Sequence, residues 1–154
     1  MKTDAEVQID IMKQEDLTEV LAIEKQSFIS PWTWGMFEKE IDAGQSQCLV
    51  ARVNNGKNNF IGGYIIFWVV VDEAHLYNLA VLPELRGQGL AGYLLSAMTE
   101  ISKQLGIKAQ TLEVRESNKD AIKLYGKYGF VVKGRRKKYY SDTNEDALIM
   151  WADV

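Results

Sequence analysis

A glycine-rich segment between an apolar, β-branched stretch and a long amphipathic pattern is the part of this chain best suited to bind a ligand. The segment consists of Arg86, Gly87, Gln88, Gly89, Leu90, Ala91 and Gly92. The first N–H groups of a helix have no internal partners and carry partial positive charge, so they bind anions. Glycines let a ligand approach the backbone closely, and Arg86 adds a full positive charge. The sequence therefore predicts a diphosphate-binding loop at a helix start.

The same glycines match G-x-G-x-x-G, the fingerprint of dinucleotide-binding folds, but that match alone is weak. A dinucleotide-binding fold needs the glycine loop directly at the end of a strand and a second mononucleotide-binding half after it. Here Pro83 to Leu85 intervene, and only about 60 residues follow the loop. A kinase-like P-loop is excluded because no Lys-Ser or Lys-Thr pair follows the glycines. A plain glycine turn before an ordinary helix is the remaining alternative.

Two side chains further along could transfer protons, and for each the sequence leaves a structural role open. In the apolar segment 109–115, Leu112 and Val114 face one side of the predicted strand and Glu113 faces the other. Glu113 could act as a general base or be an ordinary solvent-facing carboxylate. Tyr125 lies in an apolar helical stripe typical of a core. With a reference pKa of about 10, its phenol could also donate a proton to a leaving group.

Composition excludes several classes of protein. The 154 residues, 47% of them hydrophobic and 25% charged, fit one domain, 1–154. One cysteine, Cys48, and one histidine, His75, provide neither an internal disulfide nor a multi-histidine site, so no metal is expected. The formal charge of -3 argues against nonspecific nucleic-acid binding and suits a basic peptide substrate. No apolar run approaches the roughly 20 residues that cross a bilayer, and a cytoplasmic protein without membrane contact is expected.

The hydrophobic pattern predicts strands first and then an alternation of strands and helices. Strands are predicted near 7–11, 47–53, 60–71, 73–81, 109–115, 131–140 and 147–151. Helices are predicted near 17–28, 33–44, 90–105 and 119–128, where apolar residues recur every three or four positions. The expected fold class is α/β, with a mixed central β-sheet flanked by α-helices on both faces in a single domain.

Four further features receive structural interpretations. Trp34 is expected to hold its helix against the sheet, and Cys48 to be a small buried strand residue. His75 is expected to be an ordinary strand residue without a catalytic partner. The basic run at Lys133, Arg135, Arg136, Lys137 and Lys138 is expected to be a solvated sheet edge, because charge discourages strand aggregation.

Several blocks of the chain, in the right order, resemble the GNAT family of N-acetyltransferases. Arg86-x-x-Gly89-x-Ala91, after a strand that ends at Asn78 to Val81, looks like the family signature R/Q-x-x-G-x-G/A, which holds the pyrophosphate of acetyl-CoA. Further matches are 112–118, 121–125, 129–130, 136–140 and 145–147. These narrow the resemblance to the bacterial ribosomal-protein alanine N-acetyltransferases of the RimI type, over about 9–150. Ala91 departs from the family, where a second glycine is often found.

The resemblance implies a role for each matching position. It implies Glu113 as general base and Tyr125 as general acid. It implies contacts with acetyl-CoA, the co-substrate, from main-chain groups of Leu79, Ala80 and Val81, from the loop that runs from Arg86 to Gly92, and from Asn118, which could equally be a helix cap. It implies contacts with the acceptor peptide from Trp32, Tyr139 and Tyr140, of which Tyr139 is the strongest candidate.

The function expected from the resemblance is acetyl-CoA-dependent acetylation of the N-terminal alanine of a small-subunit ribosomal protein. Direct transfer is expected, because Cys48 on an early strand is poorly placed as a nucleophile. One alternative is a GNAT enzyme for another amine, such as a different protein N-terminus, a lysine or a polyamine. Another is a non-catalytic acyl-CoA-binding module, and a nicotinamide-dependent oxidoreductase is more distant. The sequence does not predict the oligomeric state.

Overall fold

Seven strands form one sheet in the order β1-β2-β3-β4-β5-β7-β6 in the computed structural model, which describes residues 5–154. The strands are β1 Glu6–Ile11, β2 Ser46–Asn54, β3 Asn59–Val70, β4 Glu73–Val81, β5 Ala109–Arg115, β6 Val131–Tyr140 and β7 Glu145–Asp153. The helices are α1 Leu17–Ser27, α2 Trp34–Asp42, α3 Leu90–Gln104 and α4 Lys119–Lys127. The α/β prediction and the predicted order of elements are confirmed.

Local signals in the sequence explain where the helices begin and end. The Thr33 hydroxyl accepts the backbone N–H of Met36 at 3.3 Å and begins α2. After α3, Gly106 takes a φ of +73°, a backbone conformation that costs glycine little and ends a helix. Helix ends are readable in the sequence because they depend on residues a few positions apart.

The helices cover both faces of the sheet and enclose two separate hydrophobic cores. On one face, α1 and α2 bury Leu17, Val20 and Phe37 against β2 and β3. On the other face, α3 buries Leu94 and Met98, with side chains of α4 packed at the margin. Each core forms because the apolar residues of a helix share one face and those of a strand alternate between faces. The sheet therefore lies between two helical layers.

The sheet opens between β4 and β5, the only adjacent strands among residues 5–154 that run parallel. They pair from Glu73 to Leu76 against Ala109 to Leu112, and no later pair joins them in the described part of the chain. Both strands nevertheless continue, β4 paired to β3 as far as Val81 and β5 paired to β7 as far as Arg115. Their facing backbone groups beyond Leu76 and Leu112 thus have no strand partner. This opening positions the site.

The basic run lies on β6, which forms one edge of the sheet, and its side chains are mostly exposed. The prediction of a solvated edge is confirmed. Arg135 pairs there with Glu116 and Asp146, each at 2.9 Å. No helix among residues 5–154 is long and apolar enough to cross a membrane.

The expectation for Trp34 is wrong. As the first residue of α2 it is 40% exposed and joins neither core. The indole of Trp32, in the preceding linker, packs instead on Phe37 with ring centroids 5.1 Å apart. The linker folds back over the helix, so Trp32 covers Phe37 and Trp34 is left at the surface.

Candidate active site

The glycine loop forms a left-handed bend directly before α3. Gly87 has a φ of +78° and Gly89, the N-cap of α3, has a φ of +90°. A Cβ at either position would meet nothing within 4 Å, so it is the backbone conformation that favours glycine there. The N–H groups of the first turn of α3 lack intrahelical partners, as an anion site at a helix start requires.

Arg86 braces this loop against its neighbours as well as adding charge to it. Its Nε donates to the carbonyl of Val81 at 3.1 Å, and an Nη donates to the Ser27 hydroxyl at 3.0 Å. The Gln88 amide donates to the carbonyl of Glu84 at 3.2 Å. Arg86 therefore ties the loop to the ends of β4 and α1.

A cavity of about 270 Å³ lies beside the first turns of α3, lined by Gly89, Gly92, Tyr93, Ser96 and Tyr128. A Cβ on Gly92 would lie 1.9 Å from the Tyr128 hydroxyl, so glycine is what lets the two helices approach here. The cavity lies beside the glycine loop and is lined by polar and aromatic groups.

Leu79, Ala80 and Val81 lie on β4 in the stretch that β5 no longer accompanies. One edge of this stretch pairs with β3, and the other edge faces the opening. Buried backbone N–H groups without a strand partner seek another acceptor, and a ligand carbonyl in the opening would provide one. These three positions connect the opening to the glycine loop.

Glu113 is the first residue of β5 beyond the last pair with β4. Its side chain is 14% exposed, and its Oε2 lies 2.7 Å from His75 Nε2. This hydrogen bond is the main reason that the pKa of Glu113 is lowered from its ordinary value, with the charges of His75 and Arg136 acting in the same direction against desolvation. The carboxylate is therefore ionised at neutral pH.

His75, expected to be an ordinary strand residue without a catalytic partner, is the hydrogen-bond partner of Glu113, the predicted general base. Its ring stacks on Tyr77 with centroids 4.6 Å apart, and Tyr77 in turn contacts Trp68 at 4.7 Å. His75 and Glu113 are 38 residues apart in sequence. Only the parallel register of β4 and β5, with His75 opposite Thr111, brings them together.

Tyr125 lies on α4, half-buried against the second core, with its ring 5.9 Å from that of Phe130. Burial, and then the nearby Tyr140, raise its pKa well above the ordinary value, so the phenol stays protonated. Tyr140 behaves similarly: burial raises its pKa to about 12 despite the opposing charge of Arg115. The structure thus places two protonated phenols near each other.

The end of β6 and the turn into β7 form a second wall of the site. The Tyr139 and Tyr140 rings meet edge to face at 5.1 Å, and the Arg115 guanidinium lies 4.1 Å from the Tyr140 centroid. Arg115 also binds Asp142 at 2.7 Å, and Asp142 accepts the Ser30 hydroxyl at 2.8 Å. The β6–β7 turn is therefore joined to the linker between α1 and α2. Tyr139 remains 49% exposed and available to a partner.

Two predicted contacts have structural roles in the described fold. The Asn118 side chain accepts the Ala121 N–H at 3.2 Å as the N-cap of α4, one of its two predicted roles. Trp32 is partly buried on Phe37, and its backbone N–H donates to Glu24 at 2.8 Å. The Trp32 ring therefore has less surface free for a peptide than Tyr139.

Glu24, which sequence reasoning did not single out, is the hub of a buried polar network. It is 1% exposed, and its carboxylate accepts the Tyr64 hydroxyl, the Asn78 amide at 2.8 Å and the Trp32 N–H. The sequence did carry a signal: Glu24 follows Leu17 by seven residues, so it occupies the apolar face of α1. Through Glu24 the linker before α2 is held to β4, next to Leu79.

Cys48 is buried on β2, on the α1 and α2 side of the sheet, as expected. Burial raises the pKa of its thiol above the ordinary value, which keeps it protonated. Among residues 5–154, no group of three or more His, Cys, Asp or Glu side chains is placed to hold a metal ion.

The sequence of this chain is similar to those of known proteins. The model of the acetyltransferase (GNAT) family matches residues 17–130. A Bacillus subtilis (strain 168) protein that carries the provisional name [ribosomal protein bS18]-alanine N-acetyltransferase is 41% identical over 155 aligned residues, 100% of this chain and 99% of that protein. The Escherichia coli (strain K12) protein named [ribosomal protein bS18]-alanine N-acetyltransferase is 35% identical over 92% of this chain and 94% of that protein.

Solved structures are similar over nearly the whole chain. The crystal structure of the ribosomal-protein-S18-alanine N-acetyltransferase from Escherichia coli superposes with a TM-score of 0.85 at 32% identity, covering 97% of this chain and 94% of that one. Ard1 from Thermoplasma volcanium superposes with a TM-score of 0.87 at 26% identity, over 96% and 97% of the two chains.

Proposed function

The chain belongs to the acetyltransferase (GNAT) family and is an N-acetyltransferase, and we propose that it acetylates the N-terminal alanine of ribosomal protein bS18. The family uses acetyl-CoA as the acetyl donor. The similarity to the E. coli enzyme of that name, which extends over 92% of this chain, supports the acceptor. We further propose that residues 1–154 constitute one N-acetyltransferase domain and that it uses no metal.

The observation that carries the proposal is the position of Glu113 at the opening between β4 and β5. Glu113 lies where the two strands separate, and the stretch of β4 from Leu79 to Val81, which has no β5 partner, leads from there to the glycine loop. A donor with a diphosphate and a long thioester arm therefore fits along β4 with its acyl group near the carboxylate. An acceptor amine would approach past Tyr139.

In this arrangement Arg86 and the N–H groups from Gly87 to Gly92 bind the diphosphate. Main-chain groups of Leu79, Ala80 and Val81 hold the thioester arm and donate to the acyl oxygen as negative charge develops on it. When bound, acetyl-CoA supplies an acetyl group activated as a thioester. Asn118 has its amide nitrogen free for a further contact, because only its side-chain oxygen is used in the cap.

Glu113 takes the proton of the attacking amine, directly or through water. A protein α-amino group with a reference pKa of about 8 is partly neutral near pH 7, so a carboxylate is a sufficient base. As the C–N bond forms and the C–S bond breaks, Tyr125 gives its proton to the thiolate, which leaves as a thiol. The raised pKa of Cys48 argues against an acyl-enzyme route, because a buried thiol that stays protonated is a poor nucleophile.

The acceptor is tested by comparing kcat/KM for four amines with acetyl-CoA: an alanine-first bS18 peptide, the same peptide beginning with methionine, an N-terminally blocked peptide with an internal lysine, and spermidine. We expect the alanine peptide to exceed each of the others by about 10-fold or more, because peptide contacts at Tyr139 and Tyr140 add to binding of the amine. Faster turnover of spermidine or lysine would reject the acceptor and leave the acetyltransferase assignment in place.

Replacing Tyr125 by phenylalanine is expected to lower kcat by roughly 100-fold, the low end of the range for general acids, because a thiolate is a fair leaving group without help. The KM for acetyl-CoA should remain within about twofold, since the ring and its packing on Phe130 are kept. Steady-state kinetics on both substrates measures the two effects.

Tyr140→Phe is the matched control for that experiment, because Tyr140 is a second protonated phenol close to Tyr125. It should mainly raise the KM for the peptide. A large fall in kcat for Tyr140→Phe with little change for Tyr125→Phe would transfer the general-acid role to Tyr140.

A further inference from the structure

His75 lies beside the carboxylate on which the proposed reaction depends, and nothing in the mechanism above uses it. Its Nε2 is 2.7 Å from Glu113 Oε2, a short distance for a nitrogen–oxygen hydrogen bond. Because Glu113 is ionised, its oxygen can only accept, so Nε2 carries the proton. The contact is a hydrogen bond in which His75 donates.

The geometry explains why Glu113 needs such a partner. Backbone pairing between β4 and β5 ends at Leu76 and Leu112, one residue before Glu113. Glu113 therefore has no backbone partner on β4 directly opposite it. His75, from the last paired stretch, reaches forward along the strand and fixes one oxygen.

The imidazole is itself held in place. Its ring stacks on Tyr77, the Tyr77 ring contacts Trp68, and Trp68 Nε1 donates to Glu40. This row of rings connects Glu113 to α2. The orientation of the donor is thus set by packing, a condition for holding a reacting group in a productive geometry.

The two oxygens of Glu113 consequently have different surroundings. Oε2 is bound to His75, while the nearest charged group to Oε1 is Arg136 Nε at 3.9 Å, beyond hydrogen-bond distance. Among the described residues Oε1 has no side-chain hydrogen-bond donor, so it can accept from an amine or a water.

We propose that His75 is a positioning residue for acetyl transfer, whose Nε2–H holds Glu113 with Oε1 directed to the acceptor amine. The inference rests on the proposed role of Glu113 as base. In this role His75 does not contact the substrate and neither gives nor takes a proton during the reaction.

Two substitutions separate the hydrogen bond from the bulk of the ring. His75→Gln keeps an N–H donor at about the same reach, and His75→Leu removes it. We expect His75→Leu to lower kcat by roughly 10- to 100-fold and His75→Gln to recover most of that loss. The Kd for acetyl-CoA should stay unchanged in both variants, since position 75 does not touch the glycine loop.

The pH profile of kcat supplies a readout that a purely structural role would not move. The titratable and charged groups facing Glu113 are His75 and Tyr77 on β4 and Arg136 and Tyr140 on β6. Tyr139 lies next to Tyr77 and Tyr140, and Glu40 of α2 lies behind Tyr77. Loss of the His75 donor raises the pKa of Glu113, so the acid limb should move to higher pH in His75→Leu. It should move less in His75→Gln, which keeps a donor but not the imidazole charge.

Each result has one meaning. Wild-type kcat and an unshifted acid limb in His75→Leu, or equal losses in His75→Leu and His75→Gln, would overturn the proposal. Glu113→Gln measured alongside keeps the two claims apart: full activity there refutes the base, whereas an inactive Glu113→Gln with a fully active His75→Leu refutes only the positioning role. Thermal unfolding of every variant confirms that folded protein is compared.

Discussion

Glu113→Gln is expected to lower kcat for the alanine peptide by about 10²- to 10⁴-fold, the range for loss of a general base. Glutamine has nearly the same shape and can still contact His75, but its amide cannot take a proton near neutral pH. Affinity for acetyl-CoA should be unchanged, because the glycine loop is remote in sequence and held by Arg86. Single-turnover kinetics and calorimetric titration with acetyl-CoA measure the two quantities.

The pH dependence sharpens this test. As the pH rises past the reference pKa of an α-amino group, about 8, the amine loses its proton without help. The deficit of Glu113→Gln should therefore narrow between neutral pH and about pH 9. Wild-type kcat would reject Glu113 as base, and so would a deficit that widens with pH.

Glu100→Gln is the matched control for Glu113→Gln. Glu100 is an exposed carboxylate on α3, so the substitution makes the same change of charge away from the opening. Its kcat should equal that of the wild type. Any common loss in the two variants would have to be attributed to net charge.

Glu24→Ala is expected to lower the free energy of unfolding by about 3–5 kcal/mol, because two buried donors and one partly buried donor lose their acceptor and each buried group costs about 1–3 kcal/mol. The donors are the Tyr64 hydroxyl, the Asn78 amide and the Trp32 N–H. In a chain of this size such a loss lowers Tm by roughly 10 °C or more. Urea unfolding followed by circular dichroism measures it.

Glu24→Gln separates the effect of this position on stability from its effect on peptide binding. One amide oxygen can still accept from Tyr64 and Asn78, but the NH₂ group then faces the Trp32 N–H, donor against donor. We expect an intermediate loss of stability, together with a higher KM for the peptide, because the linker before α2 loses its anchor.

Glu100→Ala provides the baseline, with a change in unfolding free energy within about 0.5 kcal/mol, as for other surface positions. A change of less than about 1 kcal/mol for Glu24→Ala would contradict the network, since even one unsatisfied buried donor costs that much.

The elements of the fold could be predicted from the sequence because they depend on local patterns. Alternation and helical periodicity predict β4 over 73–81 and β5 over 109–115, the bounds that the structure has. The glycine loop was equally readable, because positive φ at Gly87 and Gly89 and the start of α3 involve adjacent residues. The roles of Glu113 and Tyr125 came from the family resemblance and stay predictions.

The contacts of the site could not be predicted in the same way. Trp34 and Trp32 lie two residues apart with similar chemistry, and the path of the linker alone decided that Trp32 would pack on Phe37. Glu24 lies at a core position of α1, but its partners Tyr64 and Asn78 come from two other strands. Periodicity along one element carries no information about which distant donors will satisfy a buried carboxylate.

By itself the sequence determined the order of strands and helices, the left-handed bend before α3 and the family, because each is specified by neighbouring residues or by short motifs. Tertiary structure alone decided that β4 and β5 separate after Leu76 and Leu112, and that His75 reaches Glu113 across this boundary. The physical reason is that strand register and side-chain contacts between distant segments follow from packing the whole sheet between two helical layers.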